Sequence, residues 1–319
     1  RAYRQLGIGY SNLGALLMAL GLPYDSDDGR ALAAAITSLM TATAYRRSAE
    51  LAAVVGPYEG YARNAHAHKR VMYKHAAANE EIRAKTPTAR AVARAAGEQW
   101  RLGIQLGEAN GWRNSQASVI APTGTISFML DCDTTGIEPD LALVKFKKLV
   151  GGGSMQIVNQ TVPKALRRLG YQDEQIEAIV EYIAEHGHVV DAPGLRPEHY
   201  PVFDCAMGQR AISPMGHVRM MAAVQPFVSG GISKTVNMPE SATVEDVEKL
   251  YYEGWRMGLK ALAIYRDNCK VGQPLSTAKG ARRSGEPEKV EYRPVRRRLP
   301  KKRPSQTVSF AVGDAEGYL

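Results

Sequence analysis

The sequence has little cysteine and no disulfide or metal-binding pattern. Its three cysteines, Cys132, Cys205 and Cys269, form no CxxC pair and stand at no zinc-ligand spacing from a histidine. A disulfide framework and a structural zinc site both need such spacings. The sequence therefore predicts reduced thiols, a cytoplasmic location and no metal site, with the three cysteines in structural roles.

Long apolar runs are also missing. The chain has no stretch of about 18 uninterrupted apolar residues, the length that a membrane-spanning helix needs. Its first residues, 1–5, include neither an initiating methionine nor the apolar region of a signal peptide. We expect no membrane association, and we expect the chain to be a piece of a longer protein.

Net positive charge is scarce outside one segment. Residues 279–303 hold eleven Lys/Arg and three Glu, a net +8 of the total +9. This segment is punctuated by proline and poor in large apolar residues, so it is typical of a disordered, solvated linker. A basic nucleic-acid-binding protein is the non-enzyme alternative. Because the rest of the chain is nearly neutral, no specific nucleic-acid partner is predicted.

Helical patterns alternate with short apolar runs along the rest of the chain. Helices are predicted over residues 7–22, 26–56, 58–81, 88–107, 160–169, 173–186, 213–224 and 244–258. Strands are predicted in the run that ends at Pro122, in the glycine-broken stretch 228–239, and in 259–265 as a closing buried strand. This alternation predicts an α/β fold with parallel strands and a site at their carboxyl ends.

The stretch 119–130 is the strongest candidate for a binding site. An apolar run ends there in a proline and several small or hydroxylated residues before apolar residues resume. Glycine allows close backbone approach, hydroxyl groups donate hydrogen bonds, and the first amides of a following helical turn attract an anion such as phosphate. The structural alternative is an ordinary turn. The predicted binding residues, called the cradle below, are Pro122, Thr123, Gly124, Thr125 and Ile126.

Two other stretches have a structural and a functional interpretation. Glu138 is a candidate general base, although a carboxylate beside a proline more often forms a cap or a turn. Residues 151–154 read Gly-Gly-Gly-Ser and lack the Lys-Ser/Thr ending of a phosphate loop, so they predict a bend.

Six segments together resemble the catalytic subunit of ribonucleotide reductases in order and approximate spacing. They are residues 113–115, 122–127, 135–139, 155–159, 233–237 and 254–260, and the resemblance spans residues 3 to about 275. It implies the C-terminal part of a ten-stranded α/β barrel made of two parallel five-stranded halves. It also implies that the cradle holds the diphosphate of a ribonucleoside diphosphate.

A departure from the family pattern indicates which class is present. Partner-dependent metal-radical reductases carry adjacent tyrosines on the last barrel strand, whereas this chain reads Ala263-Ile264-Tyr265. The sequence of residues 131–139 and 260–269 resembles that of the adenosylcobalamin-dependent ribonucleoside-diphosphate reductases. The resemblance therefore implies adenosylcobalamin as cofactor, with the large subunit of a partner-dependent reductase as the alternative.

The family's radical chemistry has no match in this sequence. Its Asn-x-Cys-x-Glu motif and its redox-active cysteines are absent, so no catalytic residue is predicted within the chain. The resemblance implies a thioredoxin-like reductant as partner and leaves room for nucleotide effectors. The predicted divisions are residues 1–275 for the barrel part, 276–306 for the linker and 307–319 for the start of a C-terminal extension.

Overall fold

A computed structural model describes residues 2–148, 154–269, 309–312 and 315–318. Contacts divide the chain into two units, residues 1–279 and 280–319. Within the second unit, strands β5 (Ser309–Val312) and β6 (Ala315–Tyr318) pair as an antiparallel hairpin. The predicted linker and the bend at 151–153 lie outside the described residues.

The first unit is built mostly of helices. Their bounds are α1 Leu13–Ala19, α2 Asp27–Val55, α3 Tyr61–Glu80, α4 Pro87–Asn110, α5 Gly124–Met129, α6 Val162–Arg168, α7 Asp173–His186, α8 Pro214–Val224 and α9 Val244–Arg256. Two 3-10 helices, Pro197–Phe203 and Gln225–Phe227, join them. Among the described residues, no helix is long and apolar enough to cross a membrane.

Helix starts follow the capping residues in the sequence. The side chain of Ser26 accepts a hydrogen bond from the Gly29 amide at the start of α2, and Asp27 and Asp28 occupy the first turn. Ser213 and Thr243 cap α8 and α9 in the same way. A side-chain acceptor at this position satisfies an amide that the helix itself leaves unpaired.

Four extended segments lie side by side in parallel. Ile8 bridges to Ser118, Ile120 bridges to Ile232, and β3 (Thr235–Met238), which follows Ile232, pairs with β4 (Ala263–Arg266). Helices connect consecutive segments, as parallel pairing requires. The predicted parallel α/β arrangement is thus confirmed for these segments, and their carboxyl ends meet at one edge.

Two predictions about these segments were wrong in detail, and one hairpin elsewhere was missed. Residues 7–12 are not helical, because the Ile8 amide donates to Ala117 O at 2.9 Å and the segment pairs as a strand. The last strand, β4, is not buried, because Ala263 and Arg266 at its ends are exposed. In addition, β1 (Val144–Lys148) and β2 (Ser154–Val158) form an antiparallel hairpin that the sequence analysis did not predict.

A cluster of aromatic and histidine rings fills the core between α2, α3 and α4. This aromatic cluster consists of Tyr45, His68, His75, Trp100 and Trp112. His68 stacks on Trp112 with ring centroids 4.8 Å apart, and burial lowers the pKa of His68 from 6.5 to about 4. Burial also lowers the pKa of His75. Both rings are therefore neutral in the folded protein at neutral pH.

We expect acid to destabilise the fold through His68. Between pH 6.5 and 4 the unfolded chain binds a proton at this residue and the folded chain does not, so stability falls as pH falls through that window. The expected loss between pH 7 and 4.5 is about 1 to 2 kcal/mol, read from urea unfolding at each pH. The His68→Phe variant keeps a ring but loses the titration. An identical pH dependence in this variant would contradict the assignment.

Candidate functional site

A cavity of about 510 Å³ opens at the carboxyl ends of the parallel segments. Such a volume lies in the range of small-molecule sites, which α/β proteins place at this edge of the sheet. Its wall includes Pro122, Gly124, Glu138, Lys234, Asn237 and Tyr265. Segments far apart in the chain thus come together around one space.

The cradle lies at this cavity and begins a short helix. Gly124, Thr125 and Ile126 form the first turn of α5, and the first amide of the turn to bond back is that of Ser127, which donates to Thr123 O at 2.8 Å. The three preceding amides are the ones that a helix leaves without an internal partner. Pro122 and Gly124 line the cavity, whereas Thr125 and Ile126 are exposed but are not among its lining residues.

The Thr123 hydroxyl does not face the cavity as the sequence analysis expected. Its oxygen accepts a hydrogen bond from the Gly136 amide at 2.8 Å and lies 3.1 Å from the Ser11 hydroxyl and 3.0 Å from the Ser127 hydroxyl. The residue also has a positive φ of 52°, which is rare for a β-branched side chain. Thr123 and Ser127 therefore hold the turn in place, rather than offering hydroxyl groups to a ligand.

Glu138 is fixed by two hydrogen bonds. Its Oε2 lies 2.6 Å from Lys234 Nζ, and its Oε1 accepts from the Thr235 amide at 2.8 Å. With both oxygens engaged, the carboxylate ties the loop before Pro139 to the start of β3. This arrangement corresponds to the structural interpretation of Glu138 rather than to a general base.

Lys234 is a buried ammonium that the sequence analysis did not assign. Its side chain is 0% exposed, and Nζ lies 2.8 Å from His217 Nδ1 and 2.9 Å from Thr235 O in addition to Glu138. Burial lowers the pKa of Lys234 while Glu138 raises it, and burial beside Lys234 lowers the pKa of His217 to about 2. His217 is therefore neutral and accepts from Lys234 at Nδ1. The sequence offers no signal for this pairing, since a single lysine after a glycine-rich stretch has no fixed meaning.

The wall of the cavity carries more acidic than basic side chains. Its carboxylates belong to Asp133, Glu138, Asp140 and Asp267, and Lys234 is the one cation among the described lining residues. Cys132, which is half-buried, also lines this space. Cys205 is buried in the core and Cys269 is exposed.

In the part of the chain that the structure describes, no group of three or more His, Cys, Asp or Glu side chains is arranged to hold a metal ion. A second cavity of about 180 Å³, lined by residues such as His188 and Arg210, is too small for a nucleotide. The larger cavity is therefore the candidate site.

Comparison with known families identifies the barrel. The family described as "Ribonucleotide reductase, barrel domain" matches residues 1–265. The alpha subunit of the Actinobacillus ureae class Id ribonucleotide reductase has a similar structure, with a TM-score of 0.54 at 20% identity. That match covers 84% of this chain and 40% of the other. These two matches confirm that the chain has the reductase barrel-domain fold, as the predicted fold class requires.

Curated relatives are longer than this chain. The vitamin B12-dependent ribonucleotide reductase of Streptantibioticus cattleyicolor is 74% identical over all of this chain and 54% of its own length. The protein of that name from Rhodopirellula baltica is 48% identical, over 99% of this chain and 32% of its own length. A vitamin B12-dependent ribonucleoside-diphosphate reductase of Mycobacterium tuberculosis is 32% identical, over 87% and 33%. The chain thus spans between a third and about half of these relatives.

Proposed function

This chain belongs to the ribonucleotide reductase family through its barrel domain, and from that membership we propose that the protein reduces ribonucleoside diphosphates to 2′-deoxyribonucleoside diphosphates. Such a reaction supplies DNA precursors. The role of this chain is to bind and orient the substrate, because no residue in it matches the family's radical cysteine motif. Orientation of this kind lowers the barrier by placing the reacting sugar beside groups that lie elsewhere in the protein.

The observation that carries this proposal is the position of the first amides of α5 beside the cavity. Gly124 lines the cavity and begins the helix, so the amides of Gly124, Thr125 and Ile126 are the donors proposed for the diphosphate. Adding a Cβ to Gly124 would meet no atom within 4 Å, so the space in front of its backbone is open to a ligand. Pro122 would border the same group.

The volume of the cavity supports a ligand of nucleotide size. About 510 Å³ suits a compact small molecule and exceeds what a pyrophosphate alone would fill. We assign the remaining space to the ribose. The polar side chains of Asn237 and Tyr265, at the ends of β3 and β4, also line the cavity and are available to hydrogen-bond to it.

Adenosylcobalamin is the proposed cofactor, because the relatives described above are named vitamin B12-dependent. When bound, it supplies the radical that starts the reaction. A corrin is much larger than a nucleoside diphosphate and exceeds both described cavities, so neither cavity alone would hold it. Ile264 on β4 further supports this cofactor, since a two-tyrosine relay from a partner subunit cannot pass through it.

The remaining parts of the proposal concern the whole protein. We propose that the four parallel segments belong to one half of a ten-stranded barrel, that a thioredoxin-like protein provides reducing equivalents and that nucleotide effectors bind elsewhere. The three cysteines, Cys132, Cys205 and Cys269, form no disulfide, which suits a reducing compartment such as the cytoplasm. Ribonucleotide reduction by the longer protein without adenosylcobalamin would contradict the cofactor assignment and favour a partner-dependent reductase.

The substrate assignment can be tested through Cys132. We expect ADP, CDP, GDP or UDP to slow the alkylation of Cys132 by iodoacetamide several-fold, because a bound nucleotide would fill the cavity that Cys132 lines. The measurement is the alkylation rate at each cysteine, read by mass spectrometry of the 319-residue chain. A Cys269→Ser background removes the exposed competing thiol.

Two controls make the protection specific. Adenosine lacks the diphosphate and should protect Cys132 poorly at the concentration at which ADP protects. Buried Cys205 should react slowly with and without ligand. Equal protection by adenosine and ADP, or no protection by any diphosphate, would count against the cradle.

A further inference from the structure

We propose that Lys234 makes the cavity acceptable to an anion by neutralising Glu138, and so acts as a specificity-determining residue for the pyrophosphate group. This inference rests on the proposed function, because it concerns the same diphosphate site. Lys234 would exert this effect without touching the ligand.

The geometry keeps the Lys234 ammonium in place. An ammonium has three N–H donors, and Nζ has an acceptor for each: Glu138 Oε2 at 2.6 Å, His217 Nδ1 at 2.8 Å and Thr235 O at 2.9 Å. The side chain is fully buried. Lys234 therefore has no free donor for a phosphate and no room to swing toward one.

Glu138 is the member of the pair that reaches the ligand space. Its side chain is 22% exposed, whereas that of Lys234 is 0% exposed, and both residues line the cavity. The loop that carries Glu138 also contacts the cradle directly, because the Gly136 amide donates to Thr123 Oγ1 at 2.8 Å. An unpaired carboxylate at this position would repel a diphosphate bound at Gly124.

Glu138 is not alone among the carboxylates of the cavity wall. Asp133, Asp140 and Asp267 also line the cavity, and Lys234 is the one cation among the described lining residues. Asp133 accepts from the Thr161 hydroxyl and Asp140 accepts from the Asn159 amide. Glu138 and Lys234 form an ion pair within this lining, and substitution at either residue changes the charge of the pair.

Three variants change the charge of this pair. Lys234→Met leaves −1, and the double variant restores zero with side chains of similar shape. Glu138→Gln leaves +1 if the buried amine keeps its proton and zero if burial removes it. Inorganic pyrophosphate is the probe, and the readout is its dissociation constant from isothermal titration calorimetry of the 319-residue chain. We expect K234M to bind about 5- to 30-fold more weakly than wild type, the double variant to match wild type and E138Q to bind at least as tightly as wild type.

A purely structural role predicts a different order, in which every variant binds more weakly than wild type. E138Q binding more weakly than wild type, or a double variant as weak as K234M, would overturn the inference. K234M leaves a partly buried carboxylate unpaired and E138Q leaves a fully buried amine without its carboxylate, so both single variants are at risk of unfolding. The double variant removes both charges together and decides the question without them, with circular dichroism confirming that each variant is folded.

The controls separate this inference from the proposed function. Glu50→Gln removes a carboxylate that pairs with Arg46 and Arg47 on α2, so pyrophosphate binding should not change. Higher salt should shrink the differences between the charge variants. If pyrophosphate fails to bind wild type, the cradle itself is refuted and the inference with it. If wild type binds but the charge order is absent, only the role of Lys234 is refuted.

Discussion

The Gly107→Ala substitution is expected to lower the free energy of unfolding by more than about 3 kcal/mol. Gly107 lies in α4, and a Cβ added there would come within 2.0 Å of Cζ2 and 2.2 Å of Cε2 of Trp112. Trp112 is 1% exposed and stacks on His68, so the indole has no space to retreat into. The added methyl group therefore forces α4 away from the aromatic cluster.

Gly254→Ala provides the matched control in α9. There a Cβ would lie 3.5 Å from the nearest side-chain atoms, an ordinary contact, and alanine favours a helix interior by about 0.8 to 1.0 kcal/mol over glycine. We expect this variant to be as stable as wild type or more stable. Urea unfolding followed by circular dichroism measures both. A Gly107→Ala protein of wild-type stability would show that Trp112 packs elsewhere in solution.

Local signals in the sequence predicted the helices well. Ser26 before two aspartates, and Thr243 three residues before Asp246, set the first residues of α2 and α9. Both signals act through atoms within one turn of the cap, so no knowledge of distant residues is needed to read them.

The strand pairing was harder to predict because it depends on distant residues. Residues 7–12 directly precede the leucine-rich pattern of α1 and were predicted as part of the same helix, yet Ile8 pairs with Ser118 more than 100 residues away. The segment is extended because its backbone groups find partners in that neighbour. The exposure of β4 has a similar cause, since burial depends on what covers a strand and not on its own apolar residues.

The candidate site shows the same division between local and distant information. Pro122 and Gly124 lie at the cavity as predicted, because a turn after an apolar run is a local feature. The partnership of Glu138 with Lys234 joins residues 96 positions apart in the chain. The role of Glu138 could be resolved only when the fold placed an ammonium beside it.

The second prediction with a large effect concerns the Thr123 hydroxyl, which bonds to the turn instead of facing the cavity. We expect Thr123→Val to lower the free energy of unfolding by about 2 kcal/mol, because the Gly136 amide loses the nearer of its two acceptors, keeping only Ser11 Oγ, and the hydroxyls of Ser11 and Ser127 lose a partner. We also expect diphosphate binding to weaken about 10-fold, the effect of losing about 1.4 kcal/mol in the orientation of the α5 amides. Valine keeps the branching at Cβ, so the strain at φ 52° is unchanged and the hydroxyl alone is tested.

Thr125→Val, two residues further along the chain, is the matched variant. Thr125 is exposed, and valine and threonine have similar helix propensities, so its stability should stay within about 0.5 kcal/mol of wild type. Urea unfolding measures stability, and protection of Cys132 by ADP measures binding. Thr123→Val should change both stability and binding. Thr125→Val should change binding alone if its hydroxyl reaches the phosphate. Thr123→Val with wild-type stability and weakened binding would instead place the Thr123 hydroxyl on the ligand, with the turn held by Ser11 and Ser127. That result would return Thr123 to the role the sequence first suggested.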